Sequence, residues 1–251
     1  MIRRMKWLGT AVALVCSLSA QAAPEEPRKI LVVVTSNDHF GSTAETTGYW
    51  LGEVSHFYDV AIKSGFEIDF ASPLGGSPPV DEGSMQLKDP VNVRFLADTA
   101  AIQKLEHSLT AAQVNPDDYA AIYFAGGHGP MWDLVDNEDF HSLSRAIYER
   151  GGVVSAVCHG PVALLNLRLS DGTSILDGKR ATGLANIEER LTGKAKKVPF
   201  LLQTEMKKRG ARYHRGFPFA SHVEVDGRLV TGQNPKSTRA VAQKVVALLT
   251  P

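Results

Sequence analysis

The 251-residue chain has little cysteine and no net charge. Lys and Arg together number 27, as do Asp and Glu, and the chain contains two cysteines. A chain without excess positive charge has no basic field to hold a nucleic acid, so nucleic-acid-binding proteins are excluded. Two cysteines are too few for a disulfide framework. A composition of 43% hydrophobic and 22% charged residues is typical of a globular protein.

Long hydrophobic runs are also lacking, apart from a short one near the start. A basic head at 3–6 precedes an apolar stretch at 7–18, and a small-x-small cleavage pattern follows at 20–22. This order predicts a secretory signal peptide over residues 1–22, because the apolar run is too short to span a bilayer. We therefore expect an exported protein, periplasmic or secreted, with one domain over 23–251 that does not contact the membrane.

Removal of that segment leaves a single thiol, Cys158. The remaining chain has 24 basic and 27 acidic residues, and one cysteine cannot form an internal disulfide. In an oxidising compartment an unpaired cysteine is a candidate reactive group. The alternative is a buried, inert cysteine that packs as a small hydrophobic residue.

Strand-like and helix-like patterns alternate along the chain. Continuous apolar runs predict strands buried on both faces, and apolar residues at helical spacing predict the helices between them. The alternation predicts an α/β fold with a mostly parallel, flavodoxin-like sheet and helices on both faces. Strands are predicted at 30–34, 66–71, 120–125, 153–157, 221–225 and 228–231, with an Asp226-Gly227 turn between the last two; helices at 47–63, 98–109, 137–150, 200–209, 236–249 and from Pro161; and a long loop at 73–91.

The segment 153–161 is the most informative in the chain. Cys158 lies where a buried strand meets the helix predicted from Pro161, an arrangement typical of a nucleophile elbow at the carboxyl edge of a sheet. We expect the N-terminus of that helix to place positive potential beside the sulfur and to favour the thiolate.

A second strand ends in a glycine-rich segment. The backbone N–H groups of Gly126 and Gly127, together with that of His159, are expected to form an oxyanion hole. His128 and Trp132 follow in the chain and are expected near the mouth of the same pocket. Because the carboxyl ends of parallel strands share one edge, both strand ends are predicted to line one site.

Glu53 lies in the first predicted helix, directly before the apolar Val54. If its carboxyl group is buried beside that apolar stripe, its pKa is expected to rise. The alternative is a boundary residue that bends out to solvent, and the pattern leaves both open.

Three motifs together resemble a known family. AVCHGP at 156–161, GGHG at 126–129 and TGYWLGE at 47–53 are similar to the ThiJ/PfpI superfamily. They are most similar to its glyoxalase III-like and stress-chaperone branch, also described as class I glutamine amidotransferase-like. The resemblance extends over almost the whole of the chain beyond the predicted signal peptide.

The resemblance implies a role for each matching residue. Cys158 corresponds to the nucleophile, His159 to its base, and Glu53 to the acid that hydrogen-bonds the thiol and shuttles protons. Glu189 corresponds to the acid that orients the histidine. Glu188 is adjacent, so the choice between these two glutamates stays open.

The resemblance also implies an activity. It is the cofactor-independent conversion of 2-oxoaldehydes such as methylglyoxal to 2-hydroxy acids, by a glutathione-independent, glyoxalase-like lyase. The expected partner is a small aldehyde, with no cofactor and no metal, and a homodimer is one open arrangement. Two alternatives stay open: a cysteine-dependent amide or ester hydrolase, including a protein deglycase, and a non-enzymatic stress chaperone or redox sensor of the envelope.

A competing arrangement lies late in the chain. His222 and Glu224 are two residues apart, so they share one face of a strand, and this spacing resembles that of glutamine amidotransferases. It would predict a glutaminase. We favour solvent-facing strand residues here, because the adjacent Cys158 and His159 already supply a nucleophile and a base.

Overall fold

The computed structural model describes residues 1–2 and 29–250. The predicted signal peptide therefore lies outside the described residues, apart from its first two. Within 29–250, no helix combines the length and the apolar character that crossing a lipid bilayer requires.

A six-stranded sheet organises the chain, in the order β2-β1-β3-β4-β8-β7. All neighbouring strands are parallel except the last pair, which forms an antiparallel hairpin. This order confirms the predicted flavodoxin-like, mostly parallel sheet. The strands are β1 (Lys29–Val33), β2 (Glu67–Ala71), β3 (Tyr119–Phe124), β4 (Val153–Val157), β7 (Val223–Asp226) and β8 (Leu229–Gly232), and a separate parallel pair consists of β5 (Arg180–Ala181) and β6 (Arg212–Tyr213).

Helices cover both faces of the sheet, as predicted. Alternate residues of β1 point to opposite faces, with Leu31 and Val33 in one core and Ile30 and Val32 in the other. Burial on both sides explains why this strand is continuously apolar. The helices are α1 (Leu51–Lys63), α2 (Pro90–Ala97), α3 (Thr99–Glu106), α4 (Pro130–Asp133), α5 (Glu138–Glu149), α6 (Asn186–Leu191), α7 (Leu202–Lys208) and α8 (Thr238–Leu249).

Helix α1 begins at Leu51, four residues later than predicted. The backbone N–H of Trp50 donates to the carbonyl oxygen of Gly126, so the preceding residues are tied to neighbouring loops. A Cβ atom on Gly48 would lie 2.2 Å from the carbonyl oxygen of Pro79. This close approach between two loops explains the glycine and keeps the segment out of the helix.

The predicted loop at 73–91 is partly wrong, because α2 begins inside it. Asp89 caps this helix by accepting a hydrogen bond from the backbone N–H of Val91, and Pro90 occupies its first position. Both are standard helix-start signals. The proline and glycine content of the loop obscured them.

The helix predicted from Pro161 is also wrong. The chain forms one 3₁₀ segment over Gly160–Leu164. Its backbone donors, among them the N–H of Val162 bonded to the carbonyl of His159, reach back three residues.

The C-terminal hairpin is shifted by one residue. Asp226 still pairs with Leu229, so the two-residue turn consists of Gly227 and Arg228, not Asp226 and Gly227. Gly227 has a φ of +60°, a conformation that favours glycine in such turns.

The imidazole of His141 on α5 is buried at 1% exposure. Neither ring nitrogen has a hydrogen-bond partner among residues 29–250, although the exposed Glu138 carboxylate lies 3.5 Å from Nδ1. Burial lowers the pKa of His141, because the charged form is poorly solvated there. The folded protein therefore carries this histidine in its neutral form.

Replacing His141 with Leu is expected to stabilise the protein by about 1 kcal/mol at pH 7.5, since it removes buried polar atoms without partners. The pKa of His141 is lower in the folded than in the unfolded chain. Protonation of the unfolded chain therefore lowers the stability of the wild type as the pH falls below 6.5, and the Leu variant lacks this loss. Thermal unfolding from pH 7.5 to 5.5 should show the variant's advantage growing. An advantage that shrinks would contradict this assignment.

Candidate active site

Cys158 directly follows β4 and adopts a left-handed conformation with a φ of +59°. Such a conformation is strained in a non-glycine residue and is concentrated at functional sites. Its backbone N–H donates to Gly232 and its carbonyl accepts from Leu184, so both sides of the bend are held. A Cβ atom on Gly160 would lie 2.2 Å from the carbonyl oxygen of Phe124, which explains the glycine after His159. The predicted elbow is therefore present.

The sulfur of Cys158 begins a line of three side chains. Its Sγ lies 3.6 Å from Nδ1 of His159, and Nε2 of His159 lies 2.6 Å from Oε2 of Glu189. All three residues are at least 95% buried. An ionised carboxylate only accepts hydrogen bonds, so Nε2 of His159 must donate and Nδ1 is left to accept the thiol proton. This is the geometry of a nucleophile, a base and an orienting acid.

The structure distinguishes the two adjacent glutamates of α6. Glu189 contacts His159, whereas Glu188 turns away and accepts hydrogen bonds from the backbone N–H groups of Ala185 and Phe219. Glu188 also accepts a hydrogen bond from the side chain of Asn234. Glu188 therefore organises the start of its helix and the surrounding loops, while Glu189 orients the imidazole.

Glu53 on α1 is completely buried and faces the sulfur. Its Oε2 accepts a hydrogen bond of 2.6 Å from the backbone N–H of Gly126, and its carboxyl group is within hydrogen-bonding reach of Cys158. Oε1 has no hydrogen-bond partner in the part of the chain that the structure describes. Burial raises the pKa of Glu53 to about 8. The interpretation of Glu53 as a solvent-exposed boundary residue is therefore wrong.

The expected stabilisation of the thiolate by a helix N-terminus is also wrong. The 3₁₀ segment after Cys158 is too short to provide a substantial dipole. Burial, and then the neighbouring Glu53, raise the pKa of the Cys158 thiol well above its usual value. Two groups that become anionic this close together cannot both ionise easily, so the pair keeps at least one proton through the neutral range.

The glycine-rich segment after β3 only partly fits the predicted oxyanion hole. The N–H of Gly126 is occupied by Glu53, and the N–H of Gly127 is directed at the sulfur of Cys158. A Cβ atom on Gly126 would lie 2.8 Å from the backbone nitrogen of His159. The glycine at 126 therefore lets Cys158, His159 and Glu53 approach closely, and Gly126 is not available to bind an oxyanion.

His128 lies deeper in the site than expected from its predicted place at the pocket mouth. Its Nε2 is 3.0 Å from Oε1 of Glu189, and its ring centre is 4.3 Å from that of His159. Trp132 is one ring further away, with Phe40 between it and His128. Phe40 was not predicted as part of the site, because it lies in a loop without a recognisable motif.

His128, His159 and Glu189 are the described residues that could hold a metal ion, since one ligand atom from each lies within 4.8 Å of the others. Both imidazole Nε2 atoms already face the Glu189 carboxylate. A cation would have to displace these two N–H hydrogen bonds. The absence of a metal cofactor stays a prediction.

The competing His222–Glu224 pair does form, with 3.1 Å between His222 Nε2 and Glu224 Oε1. The sulfur of Cys158, however, interacts with His159, Glu53 and the backbone of Gly127. The late histidine is therefore not the partner of the thiol, and the glutaminase arrangement is not assembled.

A profile of the DJ-1/PfpI family matches residues 48–248. The chain belongs to the DJ-1/PfpI family. Its resemblance to the ThiJ/PfpI superfamily is thereby confirmed. Relatives that are named glyoxalases support its place among the enzymes of this family.

Relatives of this DJ-1/PfpI protein match it along nearly their whole length. Glutathione-independent glyoxalase HSP31 of Saccharomyces cerevisiae is 34% identical, over 89% of this chain and 98% of the relative. The crystal structure of glyoxalase III from Candida albicans has a TM-score of 0.80 at 30% identity, over 88% of this chain and 96% of that one. The X-ray structure of Rapid Encystment Protein 24 KDa from Francisella tularensis has a TM-score of 0.86 at 38% identity, over 89% and 100%.

These relatives contradict the prediction of export. In three yeast relatives, 97–100% of the relative is matched by 87–90% of this chain, which leaves at most 3% of each relative outside the match, too little for a signal peptide. The prediction of a periplasmic or secreted protein is therefore wrong. It relied on a composition pattern over 1–22 that these DJ-1/PfpI proteins do not support.

Replacing Glu53 with Gln is expected to stabilise the protein at pH 8. The folded pKa of about 8 lies above the ordinary value of 4.5. The wild type therefore has its full stability from Glu53 below pH 4.5, where the carboxyl group is protonated in both states, and loses it as the pH rises through 8. The shift corresponds to roughly 4 kcal/mol at pH 8. Thermal unfolding should show a large advantage for the variant at pH 8 that nearly disappears at pH 5. Equal pH dependence of both proteins would refute the burial argument.

Proposed function

We propose that this DJ-1/PfpI protein converts 2-oxoaldehydes such as methylglyoxal to 2-hydroxy acids without glutathione or another cofactor. The observation that carries the proposal is the contact of one buried thiol, Cys158, with both an imidazole and a protonatable carboxyl group. The activity named for its relatives, glutathione-independent glyoxalase, requires a thiol together with groups that move protons.

The first step uses the sulfur as the nucleophile. Nδ1 of His159 accepts the thiol proton, and the sulfur of Cys158 adds to the aldehyde carbon of the substrate. The imidazolium of His159 passes this proton to the carbonyl oxygen, which gives a hemithioacetal and restores the neutral imidazole. Glu189 stabilises the imidazolium that forms, because its carboxylate lies 2.6 Å from Nε2. Cys158 thus forms the hemithioacetal itself, so no added thiol such as glutathione is needed.

The second step moves a proton between the two substrate carbons. The carboxylate of Glu53 removes the proton on the former aldehyde carbon, which gives an enediol, and the protonated Glu53 then returns the proton to the neighbouring carbon. The product is a thioester of a 2-hydroxy acid, in which one carbon is oxidised and the other reduced. Water then cleaves the carbon–sulfur bond and regenerates the thiol. The net reaction adds one water to methylglyoxal to give lactate, the reverse of a hydro-lyase reaction.

The geometry favours this reaction over amide or ester hydrolysis. Acyl transfer depends on backbone donors that stabilise an oxyanion, and the N–H of Gly126 is already used by Glu53. A buried carboxyl group with a pKa of about 8 instead suits proton transfer near neutral pH.

The Cys158→Ala variant is expected to form no lactate from methylglyoxal, because no carbon–sulfur bond can form. Lactate production by the purified proteins, measured without added glutathione, provides the test. His222→Ala is the matched control, since His222 is a histidine outside the thiol's surroundings, and it should keep full activity. A wild type without lactate production, or a Cys158→Ala variant with wild-type rates, would overturn the proposal.

The value of kcat/KM is expected to rise with pH, by about tenfold per unit below pH 8, and then to level off. The reason is that the thiol–carboxyl pair loses its first proton from Glu53, whose ionised form is the base of the second step, and burial raises the pKa of Glu53 to about 8. Initial rates between pH 6 and 9.5 check this. A flat profile over that range would show that the pair does not control the rate.

A further inference from the structure

Glu189 accepts hydrogen bonds from two imidazoles, not one. His159 approaches Oε2 and His128 approaches Oε1, at 2.6 Å and 3.0 Å. We propose that His128 is a positioning residue, which fixes the Glu189 carboxylate so that His159 keeps its Nδ1 atom directed at the Cys158 sulfur. The kinetic part of this proposal rests on the proposed function, whereas its structural part does not.

The carboxylate has little else to hold it. The side chain of Glu189 is 3% exposed and that of His159 is 1% exposed, so water is largely excluded. A carboxylate held through one oxygen alone can rotate about its last side-chain bond. When both oxygens accept hydrogen bonds, the plane of the carboxylate is fixed. The direction of its hydrogen bond with His159 is then fixed as well.

His128 can donate this hydrogen bond without adding a charge. Burial, and then the nearby His159, lower the pKa of His128, so its ring is neutral and carries one N–H. Burial opposes the ionisation of Glu189, but its interaction with His159 and the hydrogen bonds from both imidazoles outweigh this effect and hold the pKa of Glu189 well below its usual value. The acceptor-only carboxylate then requires a donor at each Nε2 atom.

The position of His128 is itself set by rigid parts of the fold. It follows the tight bend at Gly127, which has a φ of +92°, and its carbonyl oxygen accepts the backbone N–H of Met131 at the start of α4. The buried ring of Phe40 packs against the imidazole, with ring centres 4.9 Å apart. His128 is thus held before any substrate binds, as a positioning residue must be.

Two substitutions at this position separate the hydrogen bond from the packing. In His128→Gln, the side-chain amide nitrogen takes the place of Nε2 and can still donate to Glu189. In His128→Leu, the volume is kept but the donor is lost. His141→Leu is the matched control, because it replaces a buried histidine outside the site.

The Leu variant is expected to lose about 10- to 100-fold in kcat for methylglyoxal, the effect of one hydrogen bond to a charged group. Its KM should change by less than about threefold, whereas His128→Gln should keep kcat within about fivefold of the wild type. Equal losses in the Gln and Leu variants, or a loss confined to KM, would overturn the proposal. Thermal unfolding of all variants identifies any that fail to fold. If His128→Leu does not fold, a loss of kcat in His128→Gln well beyond about fivefold would still overturn the proposal.

Nitrogen-15 NMR of the histidine rings provides a readout independent of activity. In the wild type and in His128→Gln, His159 is expected to carry its proton on Nε2, and in His128→Leu a mixture of tautomers should appear. An unchanged tautomer in His128→Leu would overturn the positioning role. If the wild type makes no lactate, the proposed function fails, while the tautomer measurement still tests His128.

Discussion

The left-handed bend at Cys158 is the constraint on which the rest of the site depends. With a φ of +59°, the chain turns sharply out of β4 and brings the sulfur to the carboxyl edge of the sheet. The neighbouring strand β3 ends at Phe124, and its following glycines allow Glu53 and the backbone of His159 to come close. Were the chain to continue straight, neither the imidazole nor the carboxyl group could face the same sulfur.

Burial then determines the chemistry of the groups gathered there. Glu53 and Cys158 both lie in an environment that disfavours charge, so the pKa of each is raised and the pair keeps at least one proton through the neutral range. Glu189 is buried as well, yet two imidazole hydrogen bonds keep its pKa low. Two carboxyl groups within one site thus differ: Glu53 can exchange a proton near neutral pH, and Glu189 is a fixed anion.

Much of this arrangement was readable in the sequence, and the errors have physical causes. The apolar runs of β1, β3 and β4 are continuous because both faces of the sheet are covered, so these strands were predicted correctly. The helix after Cys158 was predicted from Pro161 alone, and the chain instead forms one 3₁₀ segment. The oxyanion role of Gly126 failed because its N–H has a nearer acceptor, Glu53, from a helix more than seventy residues away.

The sequence by itself determined the alternation of strands and helices, the elbow at Cys158 and the three motifs that resemble one family, because these depend on local spacing and on residue type. Only the tertiary structure decided that Glu189 rather than Glu188 meets His159, that Glu53 is buried against the thiol, and that His128 shares the same carboxylate. Each of these outcomes depends on where distant segments meet at the sheet edge. Such meetings depend on packing across the whole core, which no local pattern records.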